Sequence, residues 1–341
     1  MTQPSAYSQA GVDIEAGNRA TRLMTEAVRS TYGAEVLAGI GAFGGLFDAS
    51  VLKQMDAPVL VASTDGVGTK TKVAARLNRW DTIGQDLVNH CINDILVQGA
   101  RPLFFLDYVA SSRLNPEQIA AVVGGVATAC RQVGCALLGG ETAEMPGVYE
   151  SGELDLAGTI VGVVERARLV DGGSIQENDL ILALPSTGLH TNGYSLARRV
   201  LADLNWDETL SDLGCSVSDA LLAVHRSYLE PVQRLWAAGV DIRGMAHITG
   251  GGVIDNLPRI LPVGLGAVID RGTWREPTIF DLIQEIGGIT DDEMFHVFNM
   301  GLGMLIVVAA DQVETAQNIL AEAARVGSIV AGDGTVLVRQ R

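Results

Sequence analysis

The most regular stretch of the chain is DTIGQDLVNHCINDILVQGA, residues 81–100, where apolar positions return with a helical period. Ile83, Leu87, Cys91 and Ile95 make one row, with Val88, Ile92 and Leu96 beside it. Asp86, His90, Asn93 and Asp94 fall on the opposite face. This repeat predicts an amphipathic helix over 82–98. Further helices are expected over 13–32, where Asp13 can cap the first turn, and over 116–133. Apolar, β-prone runs at 58–63, 103–109, 136–138 and 156–165 are expected to be strands.

The polar run RARLVDGGSIQEND, with Gly172-Gly173 inside it, interrupts this pattern and marks a boundary between domains at 1–170 and 171–341. Beyond it the pattern predicts a strand at 180–184, the loop PSTGLHTNG and a helix at 194–204. A long helix near 224–238 follows, then a strand at 245–248 that enters TGGG, and a helix at 253–261. Strands at 267–270 and 303–309 and a helix at 312–325 complete the chain. On this reading His225 lies within a helix and His296 ahead of a strand. Helices and strands mixed throughout predict an α/β (α+β) protein of two domains, with no internal repeat.

Composition narrows the function classes. Lysine and arginine total 24 against 40 aspartates and glutamates, a net charge of −16 over 341 residues. So acidic a chain is a poor match for nucleic acid, yet glycine loops and Mg²⁺ can still hold a phosphate locally. Cys91, Cys130, Cys135 and Cys215 show no metal-binding spacing, so reduced core thiols are expected. The start MTQPSAYSQAGVDIEAGN has no apolar signal region, and no apolar run approaches the length of a membrane span. These features point to a cytoplasmic protein with no membrane partner.

The candidate chemistry lies where strands end. VLVASTDGVGTKTK breaks from a strand into Asp65-Gly66-Val67-Gly68-Thr69-Lys70, but the lysine follows a threonine and the spacing of a P-loop fails. GIGAFG (Gly39, Gly41, Gly44) fits the dinucleotide pattern by letter, yet Gly45 and Phe47 continue a loop, so a lid or a plain surface loop is expected. LLGGETAEMPG carries Glu141, Thr142 and Glu144 after two glycines. Two readings stay open: solvated acids on a tight turn and a helix face, or Asp65, Asp94 and Glu141 converging on Mg²⁺ and a nucleotide. In the second half, Ser186, Thr187, Gly188, Thr191, Asn192 and Gly193 precede one helix, and Gly250, Gly251 and Gly252 precede another. Both places suit an anion. His190 and His247 enter these loops, as anion contacts or as proton carriers.

In order along the chain, YSQAGVDIEAGN, GIGAFGGLF, STDGVGTK, TIGQDLVNHCINDILVQGARPLFFLDY, GGETAEMPGVY, GLHTNGYSLAR, HITGGGVIDNLPRILP and FNMGLGM resemble the phosphoribosylformylglycinamidine cyclo-ligase (AIR synthetase) family. The resemblance covers nearly the whole chain. It implies an N-terminal domain whose strands join those of a partner into a barrel, a C-terminal domain with ferredoxin-like elements, and a homodimer. It implies ATP and Mg²⁺ in the first domain, near Asp65, Gly66, Gly68, Thr69, Lys70, Asn93, Asp94, Gly140, Glu141 and Thr142. The metal would fall to Asp65, Asp94 and Glu141. Formylglycinamidine ribonucleotide would meet Ser186, Thr187, Gly188, His190, Asn192, Gly193 and Gly250–Gly252, with Asp94, His190 and His247 the catalytic candidates. Arg22 and Arg29 stand where relatives carry lysines. The alternative is a non-catalytic, ATP-binding regulatory subunit of the same fold. Selenophosphate synthetase is disfavoured because the first cysteine is Cys91, and the hydrogenase-maturation dehydratase because the chain ends VLVRQR.

Overall fold

A computed structural model describes residues 13–340. The first part of the YSQAGVDIEAGN stretch, 7–12, lies outside the described residues. Contacts divide the chain into two compact units. The first runs to Ile95 and again from Arg101 to Arg166; the second takes Leu96–Ala100 and everything from Ala167 onward.

The first unit opens with α1 (Ile14–Arg29), capped by the Asp13 carboxylate, which accepts the N–H groups of Glu15 and Ala16. A small hairpin, β1 (Val36–Ala38) and β2 (Leu46–Phe47), closes the glycine loop. Then come β3 (Pro58–Gly66), α2 (Lys70–Leu77), α3 (Ile83–Leu96), β4 (Arg101–Ser111), α4 (Pro116–Gln132), β5 (Ala136–Glu144) and β6 (Leu154–Glu165). The sheet order is β3-β6-β4-β5. β6 is antiparallel to both neighbours, and α4 is the crossover that makes β4 and β5 parallel.

The expected apolar row of α3 is fully buried, and so is most of its polar face: Asp86 and Asn93 are 0% exposed and His90 3%. A solvated face is thereby ruled out for these residues. Helix and sheet approach closely because Gly158 faces Phe105 and Leu87, with a Cβ there only 2.2 Å from the Phe105 ring. The other face of the sheet is exposed at β3, whereas at β4 Phe47 packs against Phe104 and the glycine loop 39–45 shares a cavity with Phe104 and Leu106. Its rows Ala62–Val161–Phe104 and Thr64–Thr159–Leu106 run across three strands, and Leu60 on the same face is 61% exposed.

The second unit contains β7 (Leu180–Pro185), α5 (Tyr194–Val200), β8 (Thr209–Leu210), β9 (Cys215–Ser216), α6 (Val217–Leu222), α7 (Leu229–Ala237), β10 (Ile242–His247), α8 (Gly252–Asn256) and β11 (Leu265–Arg271). It ends with α9 (Thr278–Gly287), α10 (Asp291–Val297), β12 (Leu302–Val308), α11 (Val313–Ile319), β13 (Ala324–Ala331) and β14 (Val336–Gln340). Its sheet order is β10-β12-β7-β13-β11-β14, antiparallel except where β14 lies along β11. β12 is buried at every position, as a central strand requires.

Three expectations are corrected here. The long helix near 224–238 begins only at Leu229, because Pro231 is tolerated in a first turn but not in a helix interior. His225 therefore lies in an irregular segment. The helix expected to reach residue 325 stops at Ile319, and Ala324 opens β13 between β7 and β11. In the first unit, GGETAE is not a tight turn: β5 continues to Glu144, paired residue by residue with β4.

Candidate active site

In the first unit the end of β3 meets the polar face of α3. His90 Nε2 lies 2.8 Å from Asp65 Oδ2 and 3.6 Å from Asp94 Oδ2. Asp94 also accepts the Ser63 hydroxyl at 3.1 Å, and Asp65 Oδ1 accepts the Gly66 N–H at 2.6 Å. The side chains of Asp65 and Asp94 are 46% and 26% exposed, so both carboxylates reach solvent from a buried base. Burial disfavours the charged His90 ring, but the hydrogen bond to Asp65 and the charges of Asp94, Asp65 and Asp86 outweigh it and raise its pKa. Two carboxylates beside a hydroxyl are hard oxygen donors of the kind Mg²⁺ takes while keeping water, so Asp65 and Asp94 fit that ion.

Glu141 does not join them. Asp65, Gly158, Asp107 and Gly140 form one row across the sheet. Glu141 thus sits on the opposite edge strand, roughly 14 Å from Asp65 at about 4.8 Å per strand. Within one chain, the convergence of Asp65, Asp94 and Glu141 expected from sequence is therefore not formed. Lys70 is also placed differently. Its ammonium lies 2.7 Å from Asp86 Oδ2, with both side chains 0% exposed. Burial lowers the Lys70 pKa against the opposing pull of Asp86. The lysine of TDGVGTK therefore ties α2 to α3 and does not face solvent. Gly68, at φ 56°, makes the left-handed step from strand to helix, and Thr69 is the last residue before α2.

A cavity of about 550 Å³ in the same unit is lined by the glycine loop 39–45, Asp107, Gly140, Glu141 and Thr142. GIGAFG is thus the wall of a cavity and not a dinucleotide turn. Burial drives the Asp107 carboxyl up to about 7, against a smaller backbone hydrogen-bond effect. A Cβ at Gly140 would lie 2.1 Å from Asp107 Oδ1, so the glycine makes room for that carboxyl.

In the second unit the two glycine-rich loops adjoin: a Cβ at Gly250 would lie 3.1 Å from Asn192 Oδ1. Gly193 (φ 78°) packs under Phe298, and at Gly252 (φ 59°) a Cβ would fall 1.8 Å from the Phe295 carbonyl, so only glycine fits. Asn256 Nδ2 donates to the Gly250 and Gly252 carbonyls at 3.1 and 2.8 Å, and Gly251 (φ 93°) caps α8. Ser186, Thr187 and Gly188 line a second cavity, of about 570 Å³, together with Trp274, Arg275 and Thr278. Three histidines meet nearby. The His190 and His225 rings stack at 3.9 Å, and His225 Nε2 lies 3.0 Å from His247 Nε2. All three are buried, and His190 holds a left-handed backbone, φ 61°.

Sequence reading missed His225, Asp107, Trp274 and Arg275. Asp107 lies in the quoted FFLDY, and Pro231 in the sequence already argued His225 out of a helix. Nothing local signalled Trp274 or Arg275, which reach the cavity through the segment between β11 and α9.

Two family models match the chain: AIR synthase related protein, N-terminal domain, over 47–164, and AIR synthase related protein, C-terminal domain, over 176–340. A phosphoribosylformylglycinamidine cyclo-ligase of Desulfitobacterium hafniense is 52% identical over 315 residues, 92% of each chain. One of Myxococcus xanthus is 51% identical over 337 residues, 97% of each. Among solved structures, a thiamine-monophosphate kinase of Stenotrophomonas maltophilia has a TM-score of 0.67 at 20% identity, over 93% of this chain and 95% of that one. The hydrogenase maturation protein HypE in complex with ATP has a TM-score of 0.66 at 18% identity, over 94% and 90%. At those identities the two structures speak to the fold alone.

Proposed function

Because the chain belongs to the AIR synthase related family, with phosphoribosylformylglycinamidine cyclo-ligases as relatives over nearly its full length, we propose that it is an ATP-dependent cyclo-ligase of purine biosynthesis. It converts formylglycinamidine ribonucleotide and ATP to aminoimidazole ribonucleotide, ADP and phosphate. The formyl amide is a poor electrophile. Moving the γ-phosphoryl of ATP onto its carbonyl oxygen releases ADP and leaves an iminophosphate. The amidine nitrogen then attacks the same carbon, phosphate departs with the former carbonyl oxygen, and one proton is lost as the ring closes. That second step is intramolecular and is favoured by orientation. No covalent protein nucleophile is needed.

The observation that carries this reading is the Asp65–His90–Asp94 constellation, intact in a chain of this family. Asp65 and Asp94 would hold Mg²⁺, which neutralises charge on ATP phosphates when bound. His90, by its hydrogen bond, fixes the Asp65 carboxylate. ATP is assigned to the first unit, where Gly140, Glu141 and Thr142 border the cavity under the glycine loop. The ribonucleotide is assigned to the second unit. There Arg275 lines the cavity together with the 186–188 segment and is the one cation among its lining residues. Since α5 and α8 are only seven and five residues long, the loops and Arg275 contribute more to holding the phosphate than helix dipoles do.

The homodimer and its barrel belong to the same proposal, supported by the apolar side chains that the first sheet leaves exposed, Leu60 and Leu106. Ferredoxin-like packing is supported by the order β10-β12-β7-β13 in the second. Phosphate release from ATP, measured with and without formylglycinamidine ribonucleotide, tests the function. Release that depends on the ribonucleotide is expected. ATP binding with no release in either condition would instead favour the regulatory subunit.

A further inference from the structure

The cavity beneath the glycine loop contains a carboxyl that the metal site does not use. Asp107 lines it and is only 9% exposed. It stands two strands from Asp65, roughly 10 Å away at about 4.8 Å per strand, well outside contact with that carboxylate. Among the described residues, no lysine, arginine or histidine lines this cavity. Val28, Leu106, Val123, Leu137 and Leu138 make much of its wall apolar. The titratable neighbours of Asp107 are Glu141, elsewhere in the cavity wall, and the Cys130 thiol of α4. Glu141 pairs with Tyr108, whereas Gly140 lies opposite Asp107.

Burial without a cation favours the acid form. Desolvation carries the Asp107 carboxyl up to about 7, and its own backbone N–H offsets only part of that. At pH 7 about half of the molecules therefore hold it neutral. A neutral carboxyl places an O–H donor and a C=O acceptor side by side, whereas an ionised one only accepts. Adenine offers the reverse pair on one edge, an N–H donor at N6 next to a ring-nitrogen acceptor. Side-chain amides, with the same donor and acceptor, pair with adenine in this way. An apolar cavity of about 550 Å³ with one such group suits a flat heteroaromatic ring. Gly140, where a Cβ would lie 2.1 Å from Asp107 Oδ1, leaves the space beside the carboxyl free.

We propose that Asp107 is a specificity-determining residue for the nucleotide: as the neutral acid it donates to a ring nitrogen of adenine and accepts from the 6-amino group. This rests on the assignment of ATP to this cavity. Only the protonated form makes both hydrogen bonds, so nucleotide binding draws a proton onto Asp107. Affinity for ATP is then full below about pH 7 and falls as pH rises above it. A purine without the 6-amino group leaves the Asp107 carbonyl oxygen without its partner and binds more weakly at every pH.

Titration calorimetry on the full-length protein with Mg²⁺ tests this, using ATP and purine riboside triphosphate, which lacks the 6-amino group. At pH 6.5 the wild type should bind ATP about tenfold or more tighter than the analogue. Asp107→Leu should bring the two ligands within about twofold of each other. Between pH 7 and 8.5 the wild-type Kd for ATP should rise about tenfold. Asp107→Asn, which always has a donor and an acceptor, should keep its Kd level over that range. This variant shares every other titrating group with the wild type, so the difference between the two profiles belongs to Asp107. Being nearly isosteric, it also decides the matter if Asp107→Leu does not fold. Parallel pH profiles for the wild type and Asp107→Asn overturn the proposal, as does an analogue that the wild type binds as tightly as ATP. In both cases the measured binding of ATP leaves the nucleotide-dependent function standing. A wild type that binds no ATP at any pH overturns both.

Discussion

Three aspartates of the first unit have the same carboxyl and different chemistry, according to what surrounds them. Asp65 and Asp94 reach solvent beside His90. Asp94→Asn should therefore lower turnover by about a hundredfold or more, the scale on which charge stabilisation of a transferring phosphoryl acts. An unchanged melting temperature would show that the loss is chemical, and near-normal activity would remove Asp94 from the metal site. Asp107 is buried, with its carboxyl pushed from 3.8 up to about 7. Between about pH 4 and 7 the unfolded chain has released this proton while the folded chain retains it, so stability falls as pH rises through that window. By pH 8 the loss is on the order of a few kcal/mol. Melting curves from pH 5 to 8 should fall for the wild type and stay flatter for Asp107→Asn; parallel curves would exclude Asp107 as the cause. Sequence distinguishes these residues poorly, because Asp65 and Asp94 follow recognisable glycine and helical patterns, whereas the burial of Asp107 depends on which glycine, Gly140, lies opposite it.

At the scale of elements, α3 was legible because one row of four apolar residues and one polar face share its period. What sequence left unread was the partner of each face. Lys70 looked like a phosphate ligand; only the packing of α2 on α3 shows it buried against Asp86. Lys70→Met alone should cost about 3–5 kcal/mol by stranding the Asp86 charge, and Lys70→Met with Asp86→Leu should recover most of it. Urea denaturation of the single and double variants measures this, and equal losses in both would refute it. α3 and α4 cross through glycines: a Cβ at Gly84 would lie 2.1 Å from the Val122 carbonyl, whereas one at Gly124 meets nothing within 4 Å. Gly84→Ala should destabilise by about 1–3 kcal/mol, and Gly124→Ala should stabilise by up to about 1 kcal/mol. Thermal melts that rank the pair in the reverse order would contradict the crossing. The missed β13 has a different cause. ILAEAARV has good local helix propensity, and pairing with β7 and β11 overrides it.

Among the described residues, one face of the first sheet leaves Leu60 and Leu106 exposed, in rows with Ala62, Val161 and Phe104. A pair of 35.9 kDa chains that bury this face against each other should elute as a dimer, and Leu60→Glu should shift light-scattering mass toward one chain on dilution. A wild type that remains a monomer at micromolar concentration would count against the shared barrel. The sequence places a break at the glycine-rich polar run because breaks in periodicity are local, whereas the assignment of Leu96–Ala100 to the second unit depends on contacts distant in sequence. Strand order was not legible either, since it depends on pairings far apart in sequence. That order also sets a timetable. In β3-β6-β4-β5 the last strand made fills the slot between the first and the middle one. As the chain leaves the ribosome, β3 must wait for about 90 more residues before its partner exists, a delay of roughly 5–20 seconds at ordinary rates of synthesis. Through that interval its bare edge is open to other chains, so a cell that makes much of this protein must protect an incomplete sheet before any active site can exist.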